Sequence, residues 1–214
     1  MYIPQHFEET RSQVLQNLIR RYPLATLVTQ GNDELNANHI PLLLCAGPAP
    51  LSVLQGHVAR SNPVLNDLSK TREGLIIFQG PDAYVSPSWY EEKTRTGKVV
   101  PTWNYLAVHV YGAISIQGNP DWLREHLEQL TAAHESSFDA PWQLGDAPSE
   151  YITRMLRGIV GIEITINRVV GKWKLSQNKT AADQQAIIDG LGEQARPEAV
   201  ALAQSMADAI ESNP

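Results

Sequence analysis

Short apolar runs separated by turn residues at roughly ten-residue intervals fill the first half of the chain, and this spacing most constrains the fold. Leu24 to Thr29, Ala37 to Cys45 and Leu51 to Ala59 read as strands, with turns at Gln30-Gly31-Asn32-Asp33 and Gly47-Pro48-Ala49-Pro50. Three longer strands follow. Leu75 to Ser86 carries a bend at Gly80-Pro81, Tyr105 to Gln117 has β-branched weight, and Ile159 to Val170 alternates. Few helices lie between the strands. The class is therefore mainly β (α+β), an antiparallel barrel with peripheral helices.

Helical spacing predicts a helix over Phe7 to Tyr22, ended by Pro23, and a short one opened by Asn62-Pro63 and running through Leu68. A third starts at Asn119-Pro120 and carries Trp122, Leu123, His126, Leu127 and Leu130 on one face. Phe138 to Pro148 reads as loop, and helices follow over Tyr151 to Arg157, Thr180 to Asp189 and Pro197 to Glu211. The last should turn Val200, Ala203, Met206 and Ile210 inward.

A length of 214 residues suits one domain with a tail: a barrel over 1–178 and a helical extension over 179–214 packed on it. The net charge of −6 argues against a broad basic face for nucleic acid. The single Cys45 forbids an internal disulfide and fits a reducing cytoplasm. No apolar run approaches the roughly 18 residues of a membrane span, and the first residues do not read as a signal peptide.

Trp and Tyr crowd the stretch from Phe78 to Gly112. Its charged patch, Glu91 to Lys98, reads as loop, mobile over Glu91 to Arg95 and at Gly97, between two Pro-stiffened aromatic shoulders, Ser86 to Tyr90 and Pro101 to Tyr105. Trp89 and Trp103 are expected either to form a partial lid over a ligand groove or to anchor an interface. Simple closure of a barrel end is the plainer alternative.

Two segments have the composition of anion sites. In Gly56-His57-Val58-Ala59-Arg60-Ser61-Asn62-Pro63 a strand ends in an Arg and a helix follows. A guanidinium fork beside short polar groups suits a phosphate, although a capped helix with an exposed Arg explains the same residues. Lys172 to Lys179 lies between the last strand and a helix, and reads either as a second anion contact or as a surface loop. His39, His57 and His109 show no metal-ligand spacing, so no metal is expected. A P-loop, a nucleophile elbow and a dinucleotide fingerprint are all missing, and no catalytic residue can be named.

The chain resembles the PaiB family of FMN-binding negative transcriptional regulators, within the split-barrel flavoproteins. The resemblance runs through Met1-Tyr2-x-Pro4-x-x-Phe7, Gly56-His57-x-Ala59-Arg60-x-Asn62-Pro63, Phe78-x-Gly80-Pro81-x-Ala83-Tyr84-x-Ser86-Pro87, Ser88-Trp89-Tyr90, Val100-Pro101-Thr102-Trp103-Asn104-Tyr105, Val108-His109-x-x-Gly112 and Lys174-Leu175-Ser176-Gln177-Asn178. It implies a six-stranded split β-barrel working as a homodimer, with FMN in the groove between protomers. The strand-plus-helix element His57, Val58, Ala59, Arg60 and Ser61 would meet the cofactor, with the phosphate on Arg60 and Ser61. His39, Ile40 and Pro41 would line the flavin ring. Asn104, Tyr105, Lys174, Ser176, Gln177 and Asn178 would face it from the partner. The family name implies DNA regulation, yet charge and motif do not support direct DNA contact, since Arg196 is the only basic residue near the last helix. Relatives on this fold also imply two alternatives, a flavin-dependent oxidoreductase acting on a small molecule and a heme-binding or heme-utilisation protein.

Overall fold

The computed structural model describes residues 1–31, 34–46, 53–68 and 73–211. The chain opens with a 3-10 turn, Gln5–Phe7, and a short strand, β1 (Glu8–Glu9), before helix α1 (Ser12–Arg21). The helix expected from Phe7 thus starts later. Glu8 and Glu9 pair with Lys172 and Gly171, and the Glu9 carboxylate takes the Arg11 backbone N–H at 2.8 Å and binds its guanidinium. Leu15, Leu18 and Ile19 form the buried stripe of α1.

β2 (Leu24–Gln30) pairs antiparallel with β3 (Leu35–Pro41), Leu24 opposite Pro41 and Gln30 opposite Leu35. The single strand expected over Ala37 to Cys45 is two, because β4 (Leu43–Cys45) is separated from β3 by Leu42. Pro41 has no N–H for a ladder, and the Leu42 N–H turns to the Pro23 carbonyl at 2.9 Å. The expected turns at Asn32-Asp33 and Gly47-Pro48-Ala49-Pro50, and the start of the third strand at Leu51, lie outside the described residues.

The remaining elements are β5 (Val53–Ala59), α2 (Val64–Leu68), β6 (Glu73–Val85), α3 (Glu91–Thr96), β7 (Thr102–Gln117), α4 (Pro120–Glu135), α5 (Ser149–Leu156), β8 (Ile159–Lys174), α6 (Ala181–Gly192) and α7 (Pro197–Glu211). The sheet order is β3-β2-β6-β7-β8-β5-β4, with β1 added on β8. Among the paired strands, β2–β3, β2–β6, β4–β5, β5–β8 and β1–β8 are antiparallel. β1 and β4 are two and three residues long, and the other six strands carry the split-barrel architecture.

The chain divides into two compact units. The first holds Met1–Leu18, Gln79–Val108 and the described residues from Val170 onward. Its core is built around Ile187, Leu191, Leu202 and Met206. On α7 the buried stripe is Ala199, Leu202, Ala203 and Met206, while Val200 and Ile210 are exposed. The expected stripe was therefore displaced around the helix; the i, i+3, i+4, i+7 set starts at Ala199. The charged stretch Glu91 to Lys98, expected as loop, contains α3. Arg95 pairs with Glu92 one turn apart, and Gly97 ends the helix in the left-handed region at φ 68°. Trp89 sits on Gly190 of α6, where an added Cβ would fall 2.5 Å from the indole Cε2.

The second unit holds the described residues of Ile19–Phe78 and His109–Val169. Leu27, Leu54, Ile76, Phe78, Ile162 and Ile164 are fully buried in it. A second cluster, Leu123, Leu144, Ile152 and Leu156, joins α4 to α5. It draws in Leu144 from a 3-10 turn, Leu144–Asp146, inside the stretch expected as loop.

Candidate flavin-binding site

Within the second unit, β5 runs alongside β8 from Val53 opposite Thr165 to Ala59 opposite Ile159, and delivers Arg60 to the end of the ladder. Arg60 donates through its backbone N–H to Gly158 O at 2.8 Å. Its guanidinium donates through Nε to Arg157 O and through Nη2 to Ile159 O, both at 2.9 Å. Two of the five guanidinium N–H groups are thus used to orient the fork, and three remain on an exposed side chain. Ser61 is exposed beside it. Asn62 caps α2, its Oδ1 accepting from Val64 N–H at 3.0 Å, and its Nδ2 donates to Asn38 Oδ1 at 3.0 Å.

That last bond ties the strand end to β3. Asn36 of β3 and Thr29 of β2 donate to Asp67 Oδ2, at 3.2 and 3.1 Å, so α2 holds one polar position on each of these strands. His39 is exposed, Ile40 is buried and Pro41 is half-buried. Gly56 lets this strand lie close to β5: a Cβ there would meet Leu42 Cδ2 at 2.6 Å and Pro41 O at 3.1 Å.

Val58 and Ala59 point opposite ways, the first buried and the second exposed. His57 is half-buried, and its Nδ1 lies 3.2 Å from Nε2 of His126. His126 is 1% exposed and stacks on Trp122, whose ring fills the space above Gly161. Burial and the neighbouring His57 push the His126 pKa down to about 4, and burial lowers that of His57. Both rings are therefore neutral at pH 7. With His126 Nε2–H donating to His57 Nδ1, the buried and unpartnered His126 Nδ1 carries no proton; the opposite tautomer would bury an unpaired N–H. His126 read as a core position of an amphipathic helix. Its spacing of four from Trp122 was the available signal for this stack.

Within the first unit, Asn104 and Ser176 are buried and bound to each other. Their polar atoms are held in the fold. Gln177 accepts from Leu175 N–H through Oε1 at 2.8 Å and donates to Trp173 O through Nε2, which shapes the turn after β8. Asn178 is exposed. Lys174 donates to Thr102 Oγ1 and Trp103 O, and burial followed by the charge of Lys172 lowers its pKa. β8 extends through Lys174, so Lys172 and Lys174 are strand residues rather than the loop residues expected. Tyr105 is half-buried, its ring 5.3 Å from Lys172 Nζ. The candidate residues thus fall into one group in each unit. Among the described residues no cluster of three or more His, Cys, Asp or Glu has metal-binding geometry.

Residues 1–168 match the family model described as "Putative FMN-binding domain". The protease synthase and sporulation protein PAI 2 of Bacillus subtilis is 32% identical over 98% of this chain and 98% of its own. This chain belongs to the FMN-binding domain family, the PaiB type. FMN is the cofactor that membership assigns. The uncharacterized protein AN0679 of Emericella nidulans is 36% identical over 89% of this chain and 90% of its own. Among solved structures, the FAD and heme binding protein of Mycobacterium smegmatis shares the fold, with a TM-score of 0.59 at 17% identity over 84% of this chain and 78% of that one.

The residues of this FMN-binding domain suit the cofactor's phosphate by their donor chemistry. A dianion is best held by charge-assisted bonds from a fixed fork, and Arg60 is fixed by two carbonyls with N–H groups to spare. No helix among the described residues is long and apolar enough to cross a membrane.

Proposed function

We propose that the protein is a cytoplasmic, homodimeric flavin-binding member of the PaiB-type regulators, holding FMN between two copies of the chain. Arg60 and Ser61 take the phosphate, and exposed His39 with the backbone of Ile40 and Pro41 borders the ring. Tyr105 and Lys174 of the second copy face it. The observation that carries this reading is the anchored Arg60, whose two bonds to Arg157 O and Ile159 O leave a pre-oriented cation at an exposed strand end. The regulatory part is supported by the sporulation-related name of the Bacillus subtilis relative. With a net charge of −6, regulation through a partner or through the flavin's state suits this chain better than its own grip on DNA.

The test compares FMN with riboflavin by flavin fluorescence on wild type and Arg60→Ala, alongside sedimentation at micromolar protein. FMN should bind wild type at least tenfold more tightly than riboflavin, and Arg60→Ala should remove most of that preference. Equal affinities for the two ligands in wild type would remove the phosphate seat, and a stable monomer would remove the shared site.

A further inference from the structure

Lys172 is 8% exposed, which is rare for a lysine unless its charge is compensated. Its Nζ donates to one group, the carbonyl of Tyr2, at 3.1 Å, and lies 5.8 Å and 5.3 Å from the ring centroids of Tyr2 and Tyr105. Lys174, two residues on and therefore on the same face of β8, binds only the neutral oxygens of Thr102 and Trp103. Among the described residues neither ammonium has a carboxylate partner within 4.0 Å; the Arg11–Glu9 and Arg95–Glu92 ion pairs involve neither. Glu8, opposite Lys172 across the β1–β8 ladder, makes no ion pair with it.

Two ammonium groups on one strand face without a counter-charge repel each other, and burial together with the charge of Lys172 lowers the pKa of Lys174. Aromatic faces and carbonyls offset part of the cost but carry no net negative charge. The surroundings are also flat and apolar: Trp103 is 50% exposed and meets Tyr84 edge to face at 6.1 Å. The sheet face therefore offers cations beside open ring surface.

We propose that Lys172 and Lys174 form a binding site for the oxyanion group of a small molecule, a carboxylate or a phosphate borne on a flat or apolar body that rests against Trp103 and Tyr105. This deepens the flavin reading and rests on it, naming an organic acid or phosphate ester as the class of molecule that the flavin meets. The shared chemistry is a compact oxyanion with two or more acceptor oxygens, able to accept from both ammonium groups at once.

The experiment is run in the Arg60→Ala background, where the seat assigned to the flavin phosphate is already disabled. Inorganic phosphate and benzoate are titrated separately at fixed ionic strength, with chloride as the balancing ion, and intrinsic Trp fluorescence is read. A saturable change with either probe is expected, phosphate alone indicating a phosphate-bearing ligand and benzoate alone a carboxylate. Adding Lys174→Gln or Lys172→Met should weaken that response at least tenfold. Met fills the space of the lysine stem without charge, and Lys174→Gln, at a half-buried position, decides the matter should Lys172→Met not fold. The proposal is overturned if neither probe acts beyond chloride, or if both lysine variants keep the response. Salt-sensitive retention of duplex DNA that disappears in the same variants would also overturn it, in favour of a polyanion. Flavin affinity is read separately, on wild type, so loss of the flavin reading and loss of the anion site are distinguishable.

Discussion

Asn104 and Ser176 are buried partners on the end of β7 and the turn after β8: Asn104 Nδ2 donates to Ser176 Oγ at 2.9 Å, and that same oxygen lies 3.2 Å from Asn104 Oδ1. Ser176 is also the one non-glycine residue at positive φ among those described, at 61°. A left-handed serine costs on the order of 1 kcal/mol and persists where its surroundings hold it. Here the holders are Asn104 and the Lys179 N–H, which donates to Ser176 O at 2.9 Å. Asn104→Ala should lower the unfolding free energy by about 1–3 kcal/mol, because it strands a buried hydroxyl and releases a strained turn. Urea unfolding measures this, and an unchanged midpoint would show that the pair does not support the turn.

The seat of Trp89 gives a second test. Gly to Ala in a helix ordinarily stabilises by up to about 1 kcal/mol. At Gly190 the new methyl would fall 2.5 Å from Trp89 Cε2 and 2.8 Å from Nε1, so the ring must leave. Gly190→Ala should therefore destabilise, with a red-shifted Trp emission as the indole enters water. A gain in stability with unaltered emission would mean that α6 yields instead.

Acid should weaken the second unit through its histidine pair. The pKa of His126 is lowered from 6.5 to about 4, so between those values the unfolded chain takes up a proton that the folded chain refuses. Stability is complete above about pH 6.5 and falls as pH drops towards 4, by up to about 3 kcal/mol for this residue. His57, lowered by burial, adds in the same direction. His126→Phe keeps a ring on Trp122 and should flatten the dependence of urea midpoint on pH; the same slope in both proteins would assign it elsewhere.

Trp103, half exposed beside Tyr84, separates two roles. Trp103→Ala should leave folding stability within about 0.5 kcal/mol, as for surface positions without buried partners. If flavin affinity falls while sedimentation still shows a dimer, the indole borders the ligand. Monomers formed without a separate affinity loss make it an interface anchor.

Much of this architecture was legible because strands and caps speak locally. The bounds of α7 follow from Pro197 and from its periodicity, and Asn119 caps α4 by accepting from Asp121 N–H at 2.8 Å, as Asn-Pro predicts. What the sequence hid depended on distant partners. Pro41 is a local hint that the strand breaks, but the break at Leu42 is completed by a distant partner, the carbonyl of Pro23. Nothing local stops a helix from running through Glu9, which β8 claims instead. Of the candidate site, Arg60 was legible as a cation at a strand end, but its orientation comes from carbonyls nearly a hundred residues later. Lys172 read as part of either an anion contact or a surface loop, and its burial was hidden because its aromatic neighbours come from the first residues and from β7.

β3 and β4 stand at opposite ends of the strand order, yet only Leu42 separates them along the chain. The two borders of the sheet, where unpaired N–H and C=O groups would otherwise invite a foreign strand, are thus fastened to each other by one residue whose side chain is 1% exposed. An invading strand cannot peel β3 from β2 without dragging Leu42 out of its place over Gly56 and loosening β4 as well. A disturbance at one border of the sheet is therefore passed to the other through one residue, Leu42, packed over Gly56.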